Sequence, residues 1–282
     1  MSLAFGSLFA GSGGFDIGLE RAGMTCKWQV EINKHAIKVL AKHWPNVKRH
    51  DDVKTFEPDD SEDWYVDVIC GGDPCPFRSQ ARTIHGTKSE DLWPHYLEVV
   101  RRMRPIWVLR EHVPASDTDE CAAMLADAGY SVVVVEMDGS EITGQSRQRE
   151  YLCGVLASSG ICPIQVFSER ECDPRNPQPR RKAKEVAACL TTKPLRYDTC
   201  DNYVLDRGLG MRVLDSVERE RLQGFHDGWT DCVSEAQRGR LMGNALITHK
   251  AEWLGRRIVE YHRMITEELC RPNQPTKTDS IS

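Results

Sequence analysis

Short apolar runs alternate with amphipathic stretches from the start of the chain to about Val155. SLFAG is followed by the helix-patterned FDIGLERAG, then by KWQVEI, HAIKVLAKHW and VDVICGG. Further on, YLEVVRRMR and CAAMLADAGY have helical spacing, whereas IWVLREHV, SVVVVEM and EYLCGVL read as strands. This alternation predicts β-α-β units: an α/β domain of the doubly wound, Rossmann-like type, with a mostly parallel sheet and ligands outside the carboxyl ends of its strands.

The pattern changes after about Ser158. ICPIQVFSERECDPRNPQPRRKAKE is rich in proline and arginine, lacks helical periodicity, and reads as loops and short strands of a small domain. Its charge is locally positive between Arg170 and Arg196. Helical spacing returns in AEWLGRRIVEYHRMITEEL, and the last dozen residues read as a polar, disordered tail. The expected organisation is therefore a first domain over 1–158, a small domain over 159–239, and a helix over 240–282 that returns to the first domain before the tail. No internal repeat is present.

Composition narrows the class without naming it. With 282 residues, 40% hydrophobic and 28% charged, the chain can bury a proper core, and a single globular enzyme is expected. No apolar run approaches the roughly 20 residues of a membrane span. The N-terminus lacks the basic region of a signal peptide, so a cytoplasmic location is expected. The eleven cysteines include no CxxC pair and no Cys/His cluster at zinc-ligand spacing; reduced thiols and no metal follow. A net charge of −5 carries no global sign of nucleic-acid binding, so any such contact must come from a local basic surface.

Phe9-Ala10-Gly11-Ser12-Gly13-Gly14 lies between an apolar run and a helix, a tight turn at which a ligand can approach backbone N–H groups. Read alone, it is also compatible with a ligand-free glycine turn. Glu31, about 20 positions beyond the glycines, is placed to bind ribose hydroxyls, and Asp52, after the next helix, could take an adenine amino group. The glycines lack a following Gly-Lys-Ser/Thr, which argues against a phosphate-binding P-loop. In DVICGGDPCPFRSQ a cysteine, Cys75, sits in a Gly/Pro-restricted loop after a strand. Such a thiol can be a nucleophile, although an isolated Cys-Pro pair is more often a small buried hydrophobe. Arg110-Glu111-His112-Val113-Pro114 follows about 35 residues later, and Gly144-Gln145-Ser146-Arg147-Gln148-Arg149 after that.

In order and spacing, FAGSGG, Glu31, DDV, GGDPCPFRS, EHVPA, QSRQR, LDSVERERLQGF and GNAL resemble the successive motifs of the DNA cytosine-5 methyltransferase family, over about residues 5 to 260. The resemblance implies transfer of a methyl group from S-adenosylmethionine to C5 of a cytosine flipped out of duplex DNA. Cys75 would be the nucleophile that adds to C6. Glu111 would contact N3 and the exocyclic amine, and Arg149, with Arg147, would hold the O2 side. The cofactor would be bound by Phe9, Gly11, Gly13, Gly14, Glu31, Ile32, Asp52, Val53, Pro74, Asn244 and Ala245. The RLQGF stretch would be structural. DNA contacts would come from Arg78 and Ser79 in the catalytic loop. In the unmatched stretch from about 160 to 205, taken as a target-recognition domain, they would come from Arg180, Arg181, Lys182 and Lys184. The implied setting is restriction-modification, with a monomer acting on double-stranded DNA.

Three positions depart from the family pattern. Pro76 stands where glutamine usually follows the cysteine, His112 where asparagine follows the glutamate, and Gly144 where proline precedes the glutamine. Three alternatives stay open: a tRNA cytosine-5 methyltransferase using the same catalytic set, a cytosine-C5 modifying enzyme with a non-standard donor, and an inactive DNA-binding relative.

Overall fold

The computed structural model describes residues 2–58, 61, 64–74, 90–114, 117–140, 142–167, 187–192, 202–206, 208 and 210–269. The predicted alternation is realised as β1 (Ala4–Leu8), α1 (Gly14–Arg21), β2 (Thr25–Val30), α2 (Lys34–His43), β3 (Lys48–His50) and a 3-10 turn (Val53–Thr55). Then come β4 (Val68–Gly71), α3 (Trp93–Met103), β5 (Trp107–His112), α4 (Thr118–Asp127), β6 (Tyr130–Met137) and β7 (Arg149–Leu156). These strands form one seven-stranded sheet in the order β3-β2-β1-β4-β5-β7-β6. The pairs β3-β2, β2-β1, β1-β4 and β4-β5 are parallel, and β7 is wedged antiparallel between β5 and β6.

The order reverses at β1, whose neighbours β2 and β4 lead away in opposite directions. The carboxyl ends of β1 and β4 therefore lie side by side, with Leu8 opposite Gly71, and a crevice opens where the helices diverge to the two faces. Next along, Gly71 pairs with Arg110, so β5 delivers Glu111 to the same edge. The glycine cluster, GGDP and Glu111 thus come together through strand register.

Both faces of the sheet are covered. One apolar cluster gathers Phe5, Val68, Trp107 and Leu109 of the strands with Phe15 and Leu19 of α1. The other gathers Leu8, Ile69 and Val108 with Trp93, Tyr96 and Val100 of α3 and Leu125 of α4. The C-terminal helix, α8 (Thr248–Leu269), lies on α1. Their axes come so close at Gly18 that a Cβ there would fall 2.6 Å from Ala251 Cβ, so a larger residue there would push the helices apart.

The segment expected to begin the small domain has a different local structure from the loops and short strands predicted at its start. Pro163–Phe167 forms a short helix, α5. Val166 and Phe167 are buried, and the Phe167 ring meets Trp107 edge-on at 5.9 Å. Two apolar neighbours inside a proline-rich stretch outweigh its loop-like composition, because burying them against the sheet releases apolar surface from water. A hairpin, β8 (Tyr203–Asp206) and β9 (Gly210–Val213), follows, then α6 (Ser216–Leu222) and α7 (Glu235–Asn244). Phe225, Trp229, Leu241 and Met242 share one apolar cluster with Ala10, Ile17, Val39 and Leu40. Packing on the first body thus reaches back to Phe225, upstream of the return expected near residue 240. Among the described residues no helix is long and apolar enough to cross a membrane.

Under the glycine loop, Asp16 of α1 is fully buried and accepts hydrogen bonds from Ser7 Oγ at 3.0 Å and Gln29 Nε2 at 2.8 Å. Burial pushes its carboxyl up to about 6, against the pull of those donors. The folded state therefore holds this proton more tightly than the unfolded chain, and stability is lost as pH rises from about 4 through about 6. The loss is on the order of 3 kcal/mol. Asp16→Asn should flatten that fall. Urea melts of both proteins between pH 4 and 7 check it, and parallel pH profiles would exclude Asp16 as the titrating group.

Candidate active site

The loop after β1 turns through left-handed backbone at Phe9 (φ 51°), Gly11 (φ 57°) and Gly13 (φ 82°). Phe9 holds a conformation that a bulky side chain rarely adopts; its ring stacks on Tyr96 with centroids 6.4 Å apart. Gly13 caps α1, where a Cβ would come within 2.5 Å of the Trp44 ring. Trp229 supports the loop from below, its Nε1 donating to the Ser12 carbonyl at 2.8 Å.

Glu31, just beyond β2, binds this loop directly. Its Oε2 accepts from Gly11 N–H and its Oε1 from Asn33 N–H, both at 2.7 Å. Burial raises its pKa although both backbone donors favour the charged form. Each oxygen can still accept from a ligand hydroxyl. Ile32 beside it is 68% exposed, an apolar surface suited to the face of a flat ring. Asp52 caps the 3-10 turn by accepting from Lys54 N–H at 3.0 Å.

One cleft of about 560 Å³ runs along this edge of the sheet. Its lining includes Phe9, Gly11, Gly14, Glu31, Ile32, Asp52, Val53, Pro74, Asn244 and Ala245, together with Glu111. Ten of the eleven expected cofactor residues are thus gathered with the expected acid, and Gly13 lies behind the surface as a helix cap. Sequence reasoning missed Asn33, Asp73, Leu241 and Leu246, which also line it. Asn33 carries a signal that could have found it, because it is the N-cap of α2, accepting from His35 and Ala36 N–H. Cys75, Arg78, Ser79, Arg180, Arg181, Lys182 and Lys184 lie outside the described residues.

At the inner end of the cleft, Glu111 Oε1 forms an ion pair with Arg149 Nε at 2.8 Å, both side chains being largely buried. Antiparallel pairing of β5 with β7 sets Glu111 opposite Tyr151 and His112 opposite Glu150, which brings Arg149 alongside Glu111. The other oxygen, Oε2, faces Gly72, where a Cβ would come within 2.9 Å. Arg147 has a different set of partners. Its guanidinium is buried and donates to the carbonyls of Leu190 at 3.1 Å and Gly243 at 3.1 Å. It ties the start of β7 to two distant segments. His112 is buried with Nδ1 2.7 Å from the Val113 carbonyl. Among the described residues no group of three or more His, Cys, Asp or Glu side chains could hold a metal ion.

A doubly wound sheet with a glycine turn, an acid after β2, and a carboxylate–guanidinium pair beside one cleft places the chain in the Rossmann-like α/β class. Within that class the chain belongs to the C-5 cytosine-specific DNA methylase family, whose sequence profile matches residues 3–208. It is 26% identical over 299 aligned positions to the Type II methyltransferase M2.BsuMI of Bacillus subtilis (strain 168), covering 88% of this chain and 73% of that protein. It is 28% identical to the Type II methyltransferase M.HgiCII of Herpetosiphon aurantiacus over 56% of this chain, which spans only 38% of that longer protein. Among solved structures, the Dnmt2 methyltransferase of S. pombe shares the fold at a TM-score of 0.69 and 18% identity, covering 93% of this chain and 99% of that one.

Proposed function

We propose that this protein methylates C5 of cytosine in duplex DNA, using S-adenosylmethionine as donor and Cys75 as nucleophile. The observation that carries the reading is the single cleft in which Glu31, Asp52, Pro74, Asn244 and Glu111 meet. Its volume and lining fit the cofactor: carboxylates at Glu31 and Asp52 for ribose hydroxyls and an adenine amine, and apolar Phe9, Ile32 and Val53 for the ring. Bound there, the cofactor supplies an electrophilic methyl group on a sulfonium sulfur.

Cytosine C5 is too weak a nucleophile to take that methyl unaided. The Cys75 thiolate adds to C6, an S–C6 bond forms, and the C5–C6 π electrons move toward C5 and, through C4, toward N3. Glu111 faces that charge and stabilises it by hydrogen bonding or proton donation at N3. Arg149 holds the carboxylate in place and adds positive charge on the same side. Once C5 carries the methyl, a base removes the C5 proton, the electron pair restores the C5–C6 double bond, and the S–C6 bond breaks to return the thiolate. The segment over 159–239 is proposed to read a short duplex site, with Arg180, Arg181, Lys182 and Lys184 on phosphates.

Mass spectrometry of nucleosides from DNA and from tRNA incubated with the protein and S-adenosylmethionine tests the reading. 5-Methylcytosine in DNA is the expected result. Product in tRNA alone would identify the other substrate, a heavier cytosine adduct a different donor, and no product on either nucleic acid an inactive relative.

Glu31→Gln should weaken binding of the demethylated cofactor product tenfold or more, since an amide cannot accept from Gly11 and Asn33 N–H at once and leaves a donor facing a donor. Isothermal titration gives the affinity. An unchanged value would remove Glu31 from the binding site.

A further inference from the structure

Two residues before Cys75, Asp73 forms a buried ion pair with Arg110 that the proposed chemistry does not use. Arg110 Nε lies 2.5 Å from Asp73 Oδ1 and Nη2 lies 2.9 Å from Oδ2, a two-pronged contact, with the side chains 1% and 3% exposed. The same guanidinium sits over the Trp93 ring, 4.7 Å from its centroid. These three residues border the chemistry in sequence. Only Pro74 separates Asp73 from Cys75, Arg110 immediately precedes Glu111, and Trp93 is the first residue of α3.

We infer that Asp73 and Arg110 are positioning residues that fix the chain leading into Cys75 relative to Glu111. The inference rests on the proposed roles of Cys75 and Glu111. Two observations support it. First, a buried ion pair is a poor source of stability, because the desolvation of both charges offsets most of their attraction and a well-packed apolar pair would hold the fold as well. What a fork-to-fork contact does supply is direction, since two parallel N–H···O bonds fix both the separation and the plane of the partners. The neighbouring interior of this face is apolar, with Val108, Tyr96 and Leu97 around the pair's elements, so the charges stand where hydrophobes would otherwise suffice. Second, Gly72, the residue before Asp73, lies close against Glu111. A Cβ on Gly72 would lie 2.9 Å from Glu111 Oε2 and 3.2 Å from the Glu111 carbonyl oxygen. A shift of the Asp73 backbone is therefore transmitted to the acid at once, and a displacement of about 1 Å between reacting groups can cost about a hundredfold in rate.

The test replaces the pair by side chains of similar outline, Asp73→Leu with Arg110→Met, so that no charge is left buried alone. Two quantities are read: the melting temperature and, at saturating cofactor, the single-turnover rate of covalent adduct formation on DNA carrying 5-fluorocytosine. The expected result is a folded protein with a melting temperature near that of the wild type and adduct formation about a hundredfold slower. Arg110→Lys keeps the charge but not the fork, and is expected to keep the fold while slowing the adduct about tenfold; it decides the matter if the double variant does not fold. Wild-type rates in either folded variant would overturn the assignment. A wild-type protein that forms no adduct on either DNA or tRNA would instead remove the Cys75 reading, and this assignment with it.

Discussion

Cys75→Ala is expected to abolish methyl transfer, leaving 5-methylcytosine in treated DNA at background, while DNA and cofactor affinities change little. The physical ground is the cytosine ring itself. C5 becomes nucleophilic only when a group adds at C6, and none of the described residues that line the cleft carries a thiol. Covalent catalysis here creates the reactive carbon and does more than accelerate it, so the loss should exceed that from any other single substitution. With 5-fluorocytosine at the target there is no C5 proton to remove, and the wild-type protein should remain attached to DNA through denaturing electrophoresis. Cys75→Ala should give no such band. A denaturation-stable adduct from the variant would show that another residue is the nucleophile.

Glu111→Gln should lower the single-turnover methylation rate by about two to three orders of magnitude while weakening DNA binding by less than about tenfold. Glutamine keeps the outline of glutamate and one acceptor oxygen, but it cannot deliver a proton to N3 and cannot sustain the ion pair with Arg149 seen at 2.8 Å. The charge that develops on the ring would then face a neutral amide whose partner guanidinium is no longer held. Because this charge exists only as the thiol adds, the penalty falls on the chemical step more than on the bound ground state. Rapid-quench methylation beside a fluorescence binding titration separates the two. Equal losses in rate and affinity would make Glu111 a binding contact without a part in the chemistry.

Much of this arrangement is local in origin. The alternation of apolar runs and amphipathic stretches specifies the strands and helices of the first 155 residues other than β3, because period and length act over a few residues. The glycines at 11 and 13 mark a turn in which both residues have positive φ, and Glu31 stands at the distance that one β-α-β crossover imposes. The chemistry of the motifs is likewise written in residue type: a thiol, an acid and two arginines in a fixed order.

Other features depend on residues far apart in the chain. β7 reads like any other strand, and only its insertion between β5 and β6 makes it antiparallel and brings Arg149 beside Glu111. Arg147 stands two residues away with the same charge, yet its guanidinium reaches Leu190 and Gly243, partners 43 and 96 positions on that local pattern cannot indicate. β3 carries only Lys48, Arg49 and His50; as an edge strand it needs no apolar alternation, and so it leaves no periodic signal. Arg110 lies in a strand that is otherwise apolar up to that point, and a charge there demands a counter-charge, but that the counter-charge is Asp73 follows from the parallel pairing of β4 and β5. The sequence by itself determined most of the elements, the glycine turn and the inventory of candidate reactive groups, since each depends on residues within one or two turns of chain. Only the tertiary structure decided which arginine meets the acid, which carboxylate meets Arg110 and how Asn244 joins Phe9 on one cleft, because those are contacts between segments far apart in the chain.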